Sequence, residues 1–189
     1  MAPDTIEAAL AAPPDHPQFL VTFDDGYTDV AEHALPILTD LGISCVHFLI
    51  SDAVETGQCK GIPAPRAPFL DRKGIADLTA SGHRLGAHSR SHARFDTLDA
   101  AELARETDQD TFAYSCDRGA ARRLFAYPYG ALPRSGLSLA PNTLAFATAS
   151  VPARAWDKAP QAIRRTFLPS DDIDSWPKLT DHWRRSWNP

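Results

Sequence analysis

The sequence predicts an α/β fold built on a parallel sheet. Short apolar runs that read as strands alternate along the chain with longer capped or amphipathic runs that read as helices. Each polar cluster, DDG at 24–26, HSRSH at 88–92, YPYG at 127–130 and RRTFLPSDD at 164–172, falls at or just after the end of a predicted strand. In parallel α/β folds those strand ends converge on one face, where sites are built. No repeat and no change of composition divides the chain, so one domain is expected over 18–189, after an Ala/Pro-rich, loosely packed lead-in at 1–17.

In order, residues 19–23 (FLVTF) form the first strand, stopped by Asp24, Asp25 and Gly26. Asp29 with Glu32 three residues on reads as a capping box opening a helix that runs to Leu41, bends at Pro36 and ends at Gly42. Residues 43–50 (ISCVHFLI) are a second core strand, and 51–68 an irregular loop rich in Gly and Pro. A short helix over 71–81 closes at Gly82, and 84–87 is a third strand delivering the chain into HSRSH. Asp99 and Glu102 open a helix to about residue 117. Strands follow at 124–127, 144–148 and 163–168, with a loop at 131–142, and a helix over 175–187 ends the chain. Its Trp176, Leu179, Trp183 and Trp187 recur at helical spacing and read as core packing.

A net charge of -5 without a basic run argues against nucleic acid as a partner. No apolar stretch approaches the ~20 residues that span a bilayer. The N-terminus carries Asp4 and Glu7 with no Lys or Arg, a poor export signal, so a cytoplasmic location is expected. Cys45, Cys59 and Cys116 form no CxxC and read as reduced cysteines outside metal chemistry. Oligomeric state is not legible.

Adjacent carboxylates at the end of a core strand repel, and a nearby cation relieves them. The alternative is a polar turn that uses Asp and Gly for backbone geometry. His88 and His92 form HxxxH, weak evidence alone: with 7 His in 189 residues, about 0.25 such pairs arise by chance. The segment follows a strand, however, so both imidazoles start on the face that carries Asp25. On a helical turn residues four apart lie side by side. Two His and one carboxylate form a ligand set that leaves coordination positions open to water. Asp24 is then placed to take a proton from that water.

These pieces resemble the polysaccharide deacetylase family, the NodB-like or family 4 carbohydrate esterases. The resemblance rests on TFDDG at 22–26, HSRSH at 88–92 and YPYG at 127–130, and covers roughly 19–130. It implies a distorted, incomplete (β/α) barrel of about six or seven strands and removal of acyl groups from sugars with a divalent metal. By motif, Asp24 is the general base, Asp25, His88 and His92 the metal ligands, and the backbone N–H of Tyr129 an oxyanion donor. Zn²⁺ is the expected ion, with Co²⁺, Ni²⁺ or Mn²⁺ as alternatives. Tyr27, Tyr127 and Pro128 are the expected sugar contacts, and Phe95 shares with the two tyrosines a place near a motif end.

The chain departs from the family pattern in two places. An Arg that usually pairs with the base is replaced by Ala126; in the branch resembling poly-N-acetylglucosamine deacetylases a later strand supplies it, here Arg164 or Arg165. Strand alternation lets only one of the two point inward, and two surface arginines balancing Asp171 and Asp172 are the alternative. The family's late Leu-x-His, source of the leaving-group acid, has no match: His182 sits in the terminal helix, His47 in an apolar strand as a core histidine, and His16 is the remaining candidate. Arg90 reads as solvated, and His83 and Cys116 have no assigned role. The expected function is a metal-dependent deacylase of an acylated amino sugar in surface-glycan assembly, with an open site for a compact sugar. A glycan-binding protein without turnover and a hydrolase of non-sugar amides are the alternatives.

Overall fold

The computed structural model describes residues 1–12, 14–114, 122–134, 139–148, 151–152, 154–169 and 171–185. Strands β1 (Thr22–Phe23), β2 (Val46–Leu49), β3 (Arg84–Ala87), β4 (Arg123–Ala126), β5 (Thr143–Ala147) and β6 (Ile163–Arg164) form one sheet in sequence order. Every neighbouring pair is parallel. The helices are α1 (Ile6–Ala11), α2 (Leu35–Asp40), α3 (Ser51–Thr56), α4 (Arg72–Ala80), α5 (Ala100–Glu106) and α6 (Trp176–Arg185).

Alternation along each strand sorts side chains to two faces. Val46, Phe48, Leu124, Ala126, Leu144, Phe146 and Ile163 meet in one cluster, in which the Phe48 ring of β2 contacts that of Phe146 on the non-adjacent β5 (5.5 Å). Side chains of distant strands touch this way only if the sheet curls, and this is its concave face. The result is the incomplete (β/α) barrel expected. Gly86 is required on β3: a Cβ there would lie 2.5 Å from the Phe48 ring, its register partner's side chain. On the convex face Leu49 and Leu85 pack with Ile75 and Leu78 of α4. Farther along, Ala87, Phe125 and Ala145 pack with Phe95, Leu103 and Phe112.

Local chemistry sets the helix starts. The Asp71 carboxylate accepts the Gly74 N–H (2.8 Å) at the head of α4. The predicted capping box opens α5: Asp99 Oδ1 accepts from Glu102 N–H (2.8 Å), and Glu102 Oε2 accepts from Asp99 N–H (2.9 Å).

Elsewhere the structure departs from the sequence reading. Asp29 makes no cap; its carboxylate pairs with Arg66 (3.3 Å), and the chain enters through a π-helical turn, Val30–Ala34. Pro36 explains the turn. It has no N–H to continue the ladder, and Leu35 N–H bonds back five residues to Val30 O. The loop predicted at 51–68 begins with α3, which Gly57 ends in the left-handed conformation. The helix expected to reach about 117 stops at Glu106, and a separate 3₁₀ turn follows at Asp110–Phe112; residues 115–117, with Cys116, lie outside the described residues.

The lead-in is not loose. Ile6 is fully buried against the concave cluster, and Glu7 forms a two-oxygen ion pair with Arg84 (2.8 and 3.1 Å). The terminal helix, conversely, has no fully buried residue; Trp183 meets the half-exposed Phe19 at 6.4 Å, and Trp187 lies outside the described residues.

Candidate metal centre

Four non-glycine residues among those described have positive φ: Asp25 (73°), Ser89 (63°), His92 (60°) and Tyr129 (59°). All four belong to the DDG, HSRSH and YPYG segments, at the C-terminal strand ends. Such backbone costs about 1–3 kcal/mol per residue and persists where surrounding contacts over-determine it. Those contacts are visible. Ser89 is fully buried and its hydroxyl accepts the His92 N–H (2.9 Å). Glu106, at the end of α5, accepts from Arg90 N–H (3.1 Å), Ser91 N–H (2.9 Å) and the Ser91 hydroxyl (2.6 Å). Gly61 lies against the same loop, where a Cβ would fall 2.5 Å from His92 O.

The turn after β1 rotates Asp25 toward the two histidines. Its Oδ1 lies 3.5 Å from His88 Nε2 and 3.3 Å from His92 Nε2. Asp25, His88 and His92 each present a ligand atom within 4.8 Å of the others. His88 Nδ1 donates to Ala126 O (2.8 Å), because a carbonyl can only accept. Its proton therefore sits on Nδ1, and Nε2 turns a lone pair toward Asp25. Burial pushes the His88 imidazole below its ordinary pKa, outweighing the pull of Asp24 and Asp25. Asp25 Oδ1, which faces Nε2 of both rings, is buried without any hydrogen-bond partner, and so is His92 Nδ1 on the other side of its ring. Acceptors facing acceptors in a buried site are costly unless a cation lies between them. Two imidazoles and a carboxylate are a fitting donor set for a divalent ion.

Asp24 stands beside this group, with Oδ2 3.9 Å from His88 Nε2. Arg165 meets it with a fork, Nη1 to Oδ1 at 2.6 Å and Nη2 to Oδ2 at 2.7 Å. Arg165 also donates to Thr22 Oγ1 (3.0 Å) and to Ala147 O (3.3 Å). Burial raises the Asp24 pKa, but His88 and Arg165 more than compensate and hold it below the ordinary carboxylate range. Of the two candidate arginines, Arg165 turns to the site and Arg164 is exposed on β6.

The expected sugar contacts are placed otherwise. Tyr27 is buried, stacked on Phe69 (5.0 Å) with Arg66 over its ring. Tyr127 is buried against Phe95 and Phe125, and its hydroxyl donates to Gln161 O (3.1 Å). Pro128 and Phe95 are also buried. Tyr129, chosen for its backbone, is the aromatic left 53% exposed, its ring edge-on to His92 at 4.7 Å with the Arg94 guanidinium 5.2 Å away. Arg90, read as solvated, pairs with Asp52 and Asp108. His16 bonds Asp15 and Gln18, His47 bonds His83, and His182 is exposed on α6. Ser89 lay inside a quoted motif and was open to recognition; Glu106, 14 residues past His92, carried no signal of its own.

The sequence model for polysaccharide deacetylases matches residues 11–143. The chain belongs to the polysaccharide deacetylase family. A chitin deacetylase from Pestalotiopsis sp is 30% identical over 111 residues, 59% of this chain and 34% of the relative, so the chain spans about a third of that protein's length. Among solved structures, the Streptococcus pyogenes deacetylase PplD in complex with acetate has a TM-score of 0.73 at 19% identity, covering 94% of this chain and 77% of that one. IcaB from Ammonifex degensii has a TM-score of 0.62 at 24% identity, covering 98% and 82%. The deacetylase domain of BpsB from Bordetella bronchiseptica has 0.62 at 18%, covering 89% and 78%. At these identities the structural likenesses establish the polysaccharide deacetylase fold alone. Among the described residues no helix is long and apolar enough to cross a membrane.

Proposed function

We propose that this chain is a metal-dependent hydrolase that removes the N-acetyl group from an amino sugar of a glycan. The observation that carries the reading is the buried, unpartnered Asp25 Oδ1 facing Nε2 of both His88 and His92, beside an Asp24 carboxylate held by Arg165. In this reading Asp25, His88 and His92 hold the cation, Zn²⁺ by the chemistry of the donors, with Co²⁺, Ni²⁺ or Mn²⁺ as substitutes. When bound, the ion polarises the acyl carbonyl and lowers the pKa of water.

The protein's own groups do the rest. Asp24 takes the proton of the attacking water, and Arg165 keeps that carboxylate ionised and aimed. The Tyr129 N–H donates to the oxygen that gains charge as the carbonyl carbon becomes tetrahedral. Asp24, protonated in that step, returns the proton to the departing amine nitrogen, which serves a chain without the family's late Leu-x-His. The exposed Tyr129 ring offers a face to the sugar. A sugar rather than a simple amide is favoured by the family and by the chitin deacetylase relative.

The test is release of acetate from N-acetylglucosamine oligomers by protein supplied with Zn²⁺ or Co²⁺. Release that stops on chelation and returns with the ion supports the reading. Bound metal with no acetate from any N-acyl sugar overturns it in favour of glycan binding. Release from simple amides alone overturns the substrate class.

A further inference from the structure

Cys45, His47 and His83 are 0%, 1% and 5% exposed, and their ligand atoms all lie within 4.8 Å of one another. None of them has a part in the reaction above. Alternation puts Cys45 and His47 on the convex face with Leu49, and the β2–β3 register sets His83 beside Cys45. A sheet face built for packing thus carries a thiol and two imidazoles together. Each costs more to bury than the aliphatic side chains around it.

His47 Nε2 lies 3.2 Å from His83 Nδ1. Two nitrogens bound to one tetrahedral ion at 2.0–2.1 Å lie roughly 3.3 Å apart, so the pair already has the spacing of two ligands. The Cys45 backbone N–H donates to His83 Nδ1 (3.2 Å), so that nitrogen carries no proton, and an ion bound there would take over the lone pair this hydrogen bond now uses. His47 is further fixed by stacking on Phe23 (5.5 Å). Two imidazoles and a sulfur select a borderline-soft cation over Mg²⁺ or Ca²⁺.

We infer that Cys45, His47 and His83 form a second metal centre, for Zn²⁺, on the convex face and apart from the Asp25–His88–His92 group. Binding replaces the thiol proton of Cys45, released to solvent, with a metal–sulfur bond, and the imidazoles enter neutral. The ion would tie β2 to the entry of β3.

Cobalt distinguishes the two centres, because only this one contains sulfur. Titration of the chelator-treated full chain with Co²⁺ is expected to end at two equivalents, with a thiolate-to-cobalt charge-transfer band in the near ultraviolet. Cys45→Ser loses the band and one equivalent, as does His83→Ala, whereas Cys59→Ser keeps both. The His88→Ala/His92→Ala double variant keeps the band and binds one equivalent. A wild-type protein that takes up Co²⁺ without the band overturns the assignment whether or not the variants fold. So does a band that survives Cys45→Ser. The absorption is independent of acetate release, so failure here leaves the deacetylase reading standing, and the reverse.

Discussion

Arg165 and Asp24 meet across the open seam of the barrel. Asp24 follows β1 and Arg165 follows β6, the two edges of the sheet, and the fork joining them spans 141 residues of sequence. One contact therefore closes the curl and conditions the proposed base. Arg165→Ala is expected to lower kcat/KM for N-acetylglucosamine oligomers by about 10²-fold with metal stoichiometry unchanged. It also moves the acid limb of the pH profile upward, since the guanidinium that helps hold the Asp24 pKa down is gone while the burial that raises it remains. Arg165→Lys restores charge without the two-point geometry and falls between. Arg164→Ala, on the exposed neighbour, leaves the profile in place.

Glu106 bears on the same site from outside it. Its carboxylate accepts three hydrogen bonds, two from backbone N–H groups and one from the Ser91 hydroxyl, and so fixes the segment between the two histidines. Glu106→Ala leaves two loop N–H groups without that partner and releases the strained turns at Ser89 and His92. Metal affinity is expected to fall by about 10–100-fold, the usual effect of removing a group that orients ligands. Competition against a chromophoric chelator measures it. Activity at saturating metal should largely recover, which separates loop positioning from a part in the chemistry.

The sequence was most informative where chemistry and position coincided. The grouping of Asp25, His88 and His92 was legible because each motif sits at the end of a parallel strand, and those ends share a face. Strand alternation allowed only one of Arg164 and Arg165 to face inward, and two surface arginines stayed open until Arg165 was seen on Asp24. Tyr27 and Tyr127 misled because nearness to a motif says nothing of side-chain direction: one ring turns beneath the loop at Phe69, the other onto the packing of Phe95. Glu106 was invisible because two of its three partners are backbone N–H groups, which leave no pattern of residue types. The helix Ser51–Thr56 was hidden by the Gly- and Pro-rich segment after it, and its packing on the core was not readable locally.

The N-terminal segment gives a test of stability. Ile6 is fully buried in the concave-face cluster with Val46, Phe48 and Phe146, while the Glu7–Arg84 pair holds α1 in place. Ile6→Ala is expected to destabilise the fold by about 2–5 kcal/mol, as for other buried aliphatic truncations. Deleting residues 1–12 should cost more, because it also strips Arg84 of its carboxylate. Urea denaturation reads both. A midpoint unchanged by the deletion would show that the segment does not contribute to the core.

Tyr127 provides a pH signature. Burial pushes its phenol up to about 12, from an ordinary value of 10.0. A group whose folded pKa is raised contributes stability below the unfolded pKa and loses it as pH rises through the folded one. Between pH 10 and 12 wild-type stability should therefore fall by up to roughly 3 kcal/mol on this account. Tyr127→Phe removes that fall, and also the hydroxyl's bond to Gln161 O, worth about 1 kcal/mol. The variant is thus expected to be less stable than wild type near pH 8 and more stable above pH 11. Urea midpoints across that range should cross; parallel curves would mean that the phenol titrates alike in the folded and unfolded chains.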